Sequence, residues 1–180
     1  MNRFIIENSV DRIAKSLNNW HICKMPTEEM QMLCGVLWKH APQYAEDNKL
    51  PKLAKGHLNH PCTLWAGESR ANYRYAVKLY HAMLKEHAYR YPKSKKHGAW
   101  KHYDAIVNGI KYLPDTGNFK SKHPQCFSGH DDLKTDEVWP VEAYRAFYRT
   151  TKLTNKSGKK AQWSTKWNGR SVPKWITQNG

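Results

Sequence analysis

No stretch of the 180-residue chain approaches the roughly 20 consecutive apolar residues of a membrane-spanning helix, and the mean hydropathy is -0.86. The opening Met1-Asn2-Arg3-Phe4-Ile5-Ile6-Glu7 lacks the long apolar core and small-residue cleavage site of a secretory signal. Both absences predict a cytoplasmic protein without a membrane partner. No Cys-x-x-Cys pair occurs: Cys23, Cys34, Cys62 and Cys126 are scattered, which in a reducing compartment predicts free, mostly buried thiols. Glycine-rich phosphate loops, a nucleophile elbow and a His-Glu-x-x-His motif are missing too. Their absence counts against nucleotide hydrolase, dehydrogenase and zinc-protease chemistry. Acids are scarce.

Cationic charge is what the chain has instead: 30 Lys and Arg against 15 Asp and Glu, a net +15 and a pI near 9.7. Such a field favours polyanionic partners, nucleic acid ahead of an anionic membrane surface. Eight Trp, ten Tyr and four Phe supply enough large side chains to argue against disorder. The charge is uneven. Residues 1–48 carry 5 basic and 6 acidic side chains, residues 49–130 carry 15 and 4, and residues 131–180 carry 10 and 5. A near-neutral end suits a core and a carboxylate site, and the remainder suits a phosphate-facing surface.

Apolar periodicity predicts a mainly α fold, a compact helical single domain with a long central helix. Val10, Ile13, Ala14 and Leu17 form one stripe from about Ser9 to Leu17. Pro26, followed by Thr27, Glu28 and Glu29, reads as the first turn of a second helix that ends at Pro42. A polar loop follows from Gln43 to His60. One long element then runs from Pro61 to Pro92, with a shorter helix around Trp100–Ile110 and a last one from about Pro140 to Tyr148. No strand pair flanks a hairpin signal. The chain divides into a helical part, 1–148, and an irregular basic extension, 149–180, where Trp163, Trp167 and Trp175 lie among lysines and arginines. Interleaved cations and indoles suit stacking on nucleic acid, and equally suit tryptophans packed back on the helices.

Three groups have metal-ligand character: His21/Cys23, His57/His60/Cys62 and His123/Cys126/His130. None offers four local ligands, so no metal and no other cofactor is expected, with a zinc-stabilised interaction module as the weakest of three readings.

The near-neutral end gathers the chain's first amine, Arg3, His21, Lys24 and Glu28. Met-x-Arg at the start, an early helix, and His21 seven residues before Glu28 resemble the small phage-encoded pyrimidine-dimer DNA glycosylases, the endonuclease V family. The stretch His60-Pro61-Cys62-Thr63-Leu64-Trp65, leading into a helix that ends Tyr89-Arg90-Tyr91, is similar to the central helix of its wider relatives. The resemblance implies a helical enzyme of bacterial or phage-infected cells that flips a nucleotide from double-stranded DNA and cleaves its glycosidic bond. In that family the N-terminal amine attacks the sugar and β-elimination nicks the strand. Glu28 then matches the carboxylate, and Arg3 and His21 match substrate-binding positions. An α-amino group, with an ordinary pKa of about 7.7–8.0, keeps a useful neutral fraction at physiological pH.

One position departs from the pattern. The family exposes its amine on a small second residue after loss of the initiator methionine, whereas Asn2 is large enough to hinder that loss. The amine is then supplied by Met1, by Asn2 or by Lys24, or the lyase step is lost. Glu68, flanked by Arg70 and Arg74, is a second candidate carboxylate. Arg70, Arg74, Lys78, Lys85 and Arg90 on the central helix, with Lys95 and Lys96 in the following loop, form a candidate phosphate track. A non-catalytic protein that binds or masks nucleic acid is the alternative reading.

Overall fold

The computed structural model describes residues 1–115, 121–153 and 164–177, is 63% helical, and has no strand among the described residues. Helix α1 is Val10–Ser16, capped by Ser9, whose side chain accepts from the Arg12 N–H. Helix α2 is Asn19–His40. It begins seven residues before the turn expected at Pro26, because the Asn18 side chain accepts from the His21 N–H and caps the helix there. Pro26 is an interior residue of α2, where its missing N–H frees a carbonyl one turn earlier.

The polar loop holds two short helices, α3 (Pro42–Asp47) and α4 (Lys55–Leu58). The long element expected from Pro61 is two helices, α5 (Pro61–Gly67) and α6 (Arg70–Arg90). Ser69, fully buried, breaks them apart: its extended backbone leaves the helix and its hydroxyl accepts the Asn72 N–H that starts α6. Helix α7 (Tyr103–Asn108) sits between 3₁₀ turns at Gly98–His102 and Gly109–Tyr112. Gly109 is needed there, since a Cβ would lie 2.6 Å from Leu37 Cδ2. Helix α8 is Val141–Lys152 and α9 is Lys174–Thr177.

Helices α2 and α6 pack along each other and separate two cores. The first half of α2 (Ile22, Met25) and one face of α6 (Leu79, Ala82, Met83) meet α1, α8, Trp175 and the opening residues Phe4, Ile5 and Ile6. The second half of α2 (Leu33, Cys34, Leu37) and another face of α6 (Tyr73, Ala76, Tyr80, Leu84) meet Trp65, Ile106 and Leu113. Residues 2 to 6 are therefore buried one after another rather than alternately. Burial on all sides inserts the start of the chain between α2 and α8.

The described residues of the 149–180 extension are tied to the same core. Helix α8 runs through its start, Trp167 donates its indole N–H to the Ser16 carbonyl, and Trp175 donates to the Glu7 carboxylate. Both indoles are buried.

Candidate active site

Residues 21, 24, 25 and 28 recur at helical spacing on α2, so His21, Lys24, Met25 and Glu28 share one face. That face forms a wall of a cavity of about 360 Å³ that also meets Met1, Asn2, Phe4, Cys126, Ser128, Phe147 and Thr151. The volume lies at the lower end of the range of small-molecule sites.

Glu28 is the polar centre of this cleft. Its Oε2 accepts the Asn2 backbone N–H at 3.3 Å and its Oε1 pairs with Lys24 Nζ at 2.7 Å. Lys24 is half exposed, so this end of the pair is wet. The Asn2 side chain fastens the segment in place: Nδ2 donates to the Cys126 carbonyl, and Oδ1 accepts from the Arg3 N–H and the Tyr144 hydroxyl.

His21 reaches the cleft wall while mostly buried, with its Nδ1 2.6 Å from the Tyr148 hydroxyl. The Tyr148 oxygen already accepts the Asn18 N–H at 3.0 Å. Its own proton is thereby directed to Nδ1, which assigns the imidazole proton to Nε2. Burial raises the Tyr148 phenol well above its ordinary value, so it stays a donor.

Three of the expected nucleic-acid contacts, Arg3, Arg90 and Trp167, lie in the core instead. Arg3 is 1% exposed; its guanidinium grips Glu29 at 2.6 Å, donates to the Cys62 carbonyl and sits over the Trp65 ring. Arg90 is also buried, pairing with Glu86 at 2.7 Å and donating to the Leu17 and Lys15 carbonyls that end α1. Arg70 pairs with Asp115 and donates to the Lys111 and Leu113 carbonyls. Trp167 is packed beneath α1 and offers no exposed ring face for stacking. Arg74, Lys78, Lys95 and Lys96 are exposed. Glu68 accepts from the Ser121 hydroxyl and does not line the cleft. Trp163 lies outside the described residues, as do Lys156, Lys159 and Lys160.

Compared with protein-family models, curated proteins and solved structures, the chain matches none. The site therefore rests on its own geometry. That geometry adds residues which the sequence reading left out of the site. Cys126 and Ser128 come from the irregular loop before α8, and Phe147, Thr151 and Lys152 from α8 itself. Cys126 is marked only as one of the His123/Cys126/His130 group, and nothing in the local sequence places any of the five here, because they approach α2 from a distant part of the chain. Tyr148 is legible in the sequence only as the last residue of the helix expected from about Pro140.

Chemically, the cleft presents one carboxylate within hydrogen-bond reach of a backbone nitrogen and an amine, with the His21 imidazole and the Lys152 side chain also in its lining. A carboxylate beside an amine can accept and return protons while the amine bonds to an electrophilic carbon.

Proposed function

We propose that the protein is a base-excision enzyme that acts on damaged or modified pyrimidines in double-stranded DNA, with Glu28 as the acid/base and electrostatic group. The observation that supports this most is the shared Glu28 carboxylate, held by the Asn2 nitrogen on one side and the Lys24 ammonium on the other. An extruded nucleotide presents its sugar C1′ to such a cleft. Nitrogen attack at C1′ forms a C–N bond as the glycosidic bond breaks, and the base departs with that electron pair and a proton. The nitrogen, having lost a proton to the carboxylate, uses its lone pair to break the C1′–O4′ bond; O4′ leaves C1′ as a protonated hydroxyl and the open sugar is held as the iminium. Removal of a C2′ proton by the carboxylate then expels the 3′ phosphate.

The amine has three candidate sources, Met1, Asn2 freed of Met1, and Lys24. Borohydride trapping on abasic DNA distinguishes them. An adduct lost on N-terminal acetylation assigns the α-amine, and an adduct that survives acetylation but is lost in Lys24→Ala assigns Lys24. Glu28→Gln is expected to lower base release by about 10²–10⁴-fold, the usual worth of a positioned acid/base. Neither adduct nor base release from duplexes carrying modified pyrimidines removes the reading.

A second reading is favoured by the exposed cations. Arg74, Lys78 and Lys85 fall along one side of α6, and Lys95 and Lys96 continue in the adjoining loop. A protein that binds nucleic acid without chemistry needs that surface and not the cleft. Steep salt dependence with wild-type affinity in Glu28→Gln, and no catalysis, would select it.

A further inference from the structure

Beyond the cleft, the structure joins two of the dispersed cysteines. Cys62 Sγ, in the first turn of α5, lies 3.6 Å from Cys126 Sγ in the loop before α8. The His60 ring completes the group, all three donor atoms lying within 4.8 Å of one another. Cys62 is sealed from solvent, whereas Cys126 is partly exposed and lines both the cleft and a second, adjoining cavity of about 510 Å³. One sulfur is reachable and the other stands behind it.

The imidazole's orientation separates two uses of such a cluster. His60 Nδ1 caps α5 by accepting the Cys62 N–H at 3.2 Å. With Nδ1 accepting, the ring proton belongs on Nε2, so the neutral ring has no lone pair left over for a metal while the cap is intact. A metal on Nδ1 would displace the cap directly, and a metal on Nε2 would move the proton to Nδ1 and break it as well.

We propose that Cys62 and Cys126 are an oxidisable dithiol that reacts with hydroperoxides, Cys126 attacking and Cys62 resolving. The Cys126 thiolate attacks the terminal hydroxyl oxygen of the hydroperoxide, the O–O bond breaks, and alkoxide (hydroxide from hydrogen peroxide) leaves with the electron pair, giving Cys126 sulfenic acid. The Cys62 sulfur then attacks that sulfur and gives up its thiol proton, forming the disulfide while the sulfenic oxygen leaves with that proton as water. The peroxide is reduced by two electrons and the two thiols are oxidised by two. Bond formation closes the sulfurs from contact to about 2.05 Å.

The other thiols differ in the expected way. The hydrogen bond from Cys62, the His60 ring and the Arg3 charge hold the Cys126 thiol below its ordinary pKa. Burial pushes Cys34 up to about 12, and burial also raises Cys23. Cys62 is raised by its hydrogen bond to Cys126 and by burial. Reactivity follows thiolate character and access, so Cys126 reacts first. The disulfide also touches the cleft. Asn2 Nδ2 donates to the Cys126 carbonyl and Arg3 donates to the Cys62 carbonyl, so closing the bond draws on both anchors of the opening segment.

The experiment treats the reduced full-length protein with stoichiometric hydrogen peroxide, then alkylates and maps the thiols by mass spectrometry. The expected result is a Cys62–Cys126 linkage with Cys23 and Cys34 still alkylated. Cys62→Ser should stop at a sulfenic acid on Cys126 that dimedone captures. His60→Asn keeps a side chain able to cap α5 and should slow the reaction on the order of tenfold by lowering the thiolate fraction. Oxidation at Cys23 or Cys34 ahead of Cys126 overturns the proposal. So does a wild-type protein that reaches no linkage. Stoichiometric zinc that shields Cys62 and Cys126 from alkylation in the untreated protein also overturns it, in favour of a metal site.

Discussion

Glu28 and Glu29 are consecutive on α2, yet one carboxylate meets the Asn2 nitrogen in the cleft and the other is sealed against Arg3. A helix turns about 100° per residue, so neighbours on α2 face different surroundings. The Arg3–Glu29 pair is what pins the chain's opening segment beneath α2, and thereby places Asn2 beside Glu28.

The pair predicts a large asymmetry between breaking it and replacing it. Burial raises the Glu29 carboxyl, and Arg3 only partly offsets that. Two charges have left water for a modest net return. Glu29→Gln or Arg3→Ala should cost about 3–5 kcal/mol, since each strands a buried charge. The double change Arg3→Met with Glu29→Leu should recover most of that loss. Urea denaturation at pH 7 measures both, and equal destabilisation by single and double variants contradicts the account.

His123 predicts a pH-dependent stability. Its ring is enclosed by Trp65, Trp139 and Tyr144, and neither nitrogen makes a hydrogen bond of normal geometry. Burial, aided by the Arg3 charge, holds it well below the ordinary histidine value. The unfolded chain therefore takes up a proton near pH 6.5 that the folded chain refuses. The associated stability is complete above about pH 6.5 and declines below it, by about 1.4 kcal/mol per pH unit for one proton. His40, His87 and His102 are depressed by burial too and act in the same direction. His123→Phe isolates the contribution. Its denaturation midpoint should fall less than the wild type's between pH 6.5 and 5.

The exposed and buried cations should separate in two assays. Arg90→Ala leaves the last carbonyls of α1 without their donor, while Glu86 keeps Arg170 at 2.9 Å. A loss of about 1–3 kcal/mol of stability is expected, with unchanged nucleic-acid affinity per folded molecule. Lys78→Ala should alter stability by no more than about 0.5 kcal/mol. If Lys78 meets a phosphate, it should lower the slope of log affinity against log salt by about 1. Parallel thermal melts and DNA titrations over a salt series give both quantities.

The difference between Arg90 and Lys78 shows which parts of the molecule the residues advertised. Helical stripes were readable wherever local spacing decides burial, as at Val10–Leu17. Boundaries were not, because Asn18 and Ser69 each act through one side-chain hydrogen bond that outweighs the apparent punctuation of Pro26 and the apparent continuity from Pro61 to Pro92. Charge was readable and its location was not. Arg3 and Arg90 look like surface cations until Glu29, Glu86 and a set of carbonyls are brought to them by the fold. The grouping of Lys24 and Glu28 was visible because four residues of helix fix it. The arrival of Cys126 and Tyr148 was invisible, since each crosses the molecule from a distant part of the chain.

Asn2 is the residue on which the amine's identity turns. Its side chain makes three hydrogen bonds, to the Cys126 carbonyl, the Arg3 N–H and the Tyr144 hydroxyl. Asn2→Ser is small enough to favour methionine removal, and a serine hydroxyl cannot span the same three partners. A stability loss of about 1–3 kcal/mol is therefore expected, together with an intact mass lacking one methionine. The new α-amine would occupy the position of the present backbone nitrogen, 3.3 Å from Glu28 Oε2. If the second residue's nitrogen is the nucleophile, borohydride trapping on abasic DNA should rise in Asn2→Ser and vanish when Glu28→Gln is added. If Lys24 is the nucleophile, removing Met1 leaves the trapping yield unchanged. A fall in yield from folded Asn2→Ser that has lost Met1 leaves Met1 itself as the source of the amine.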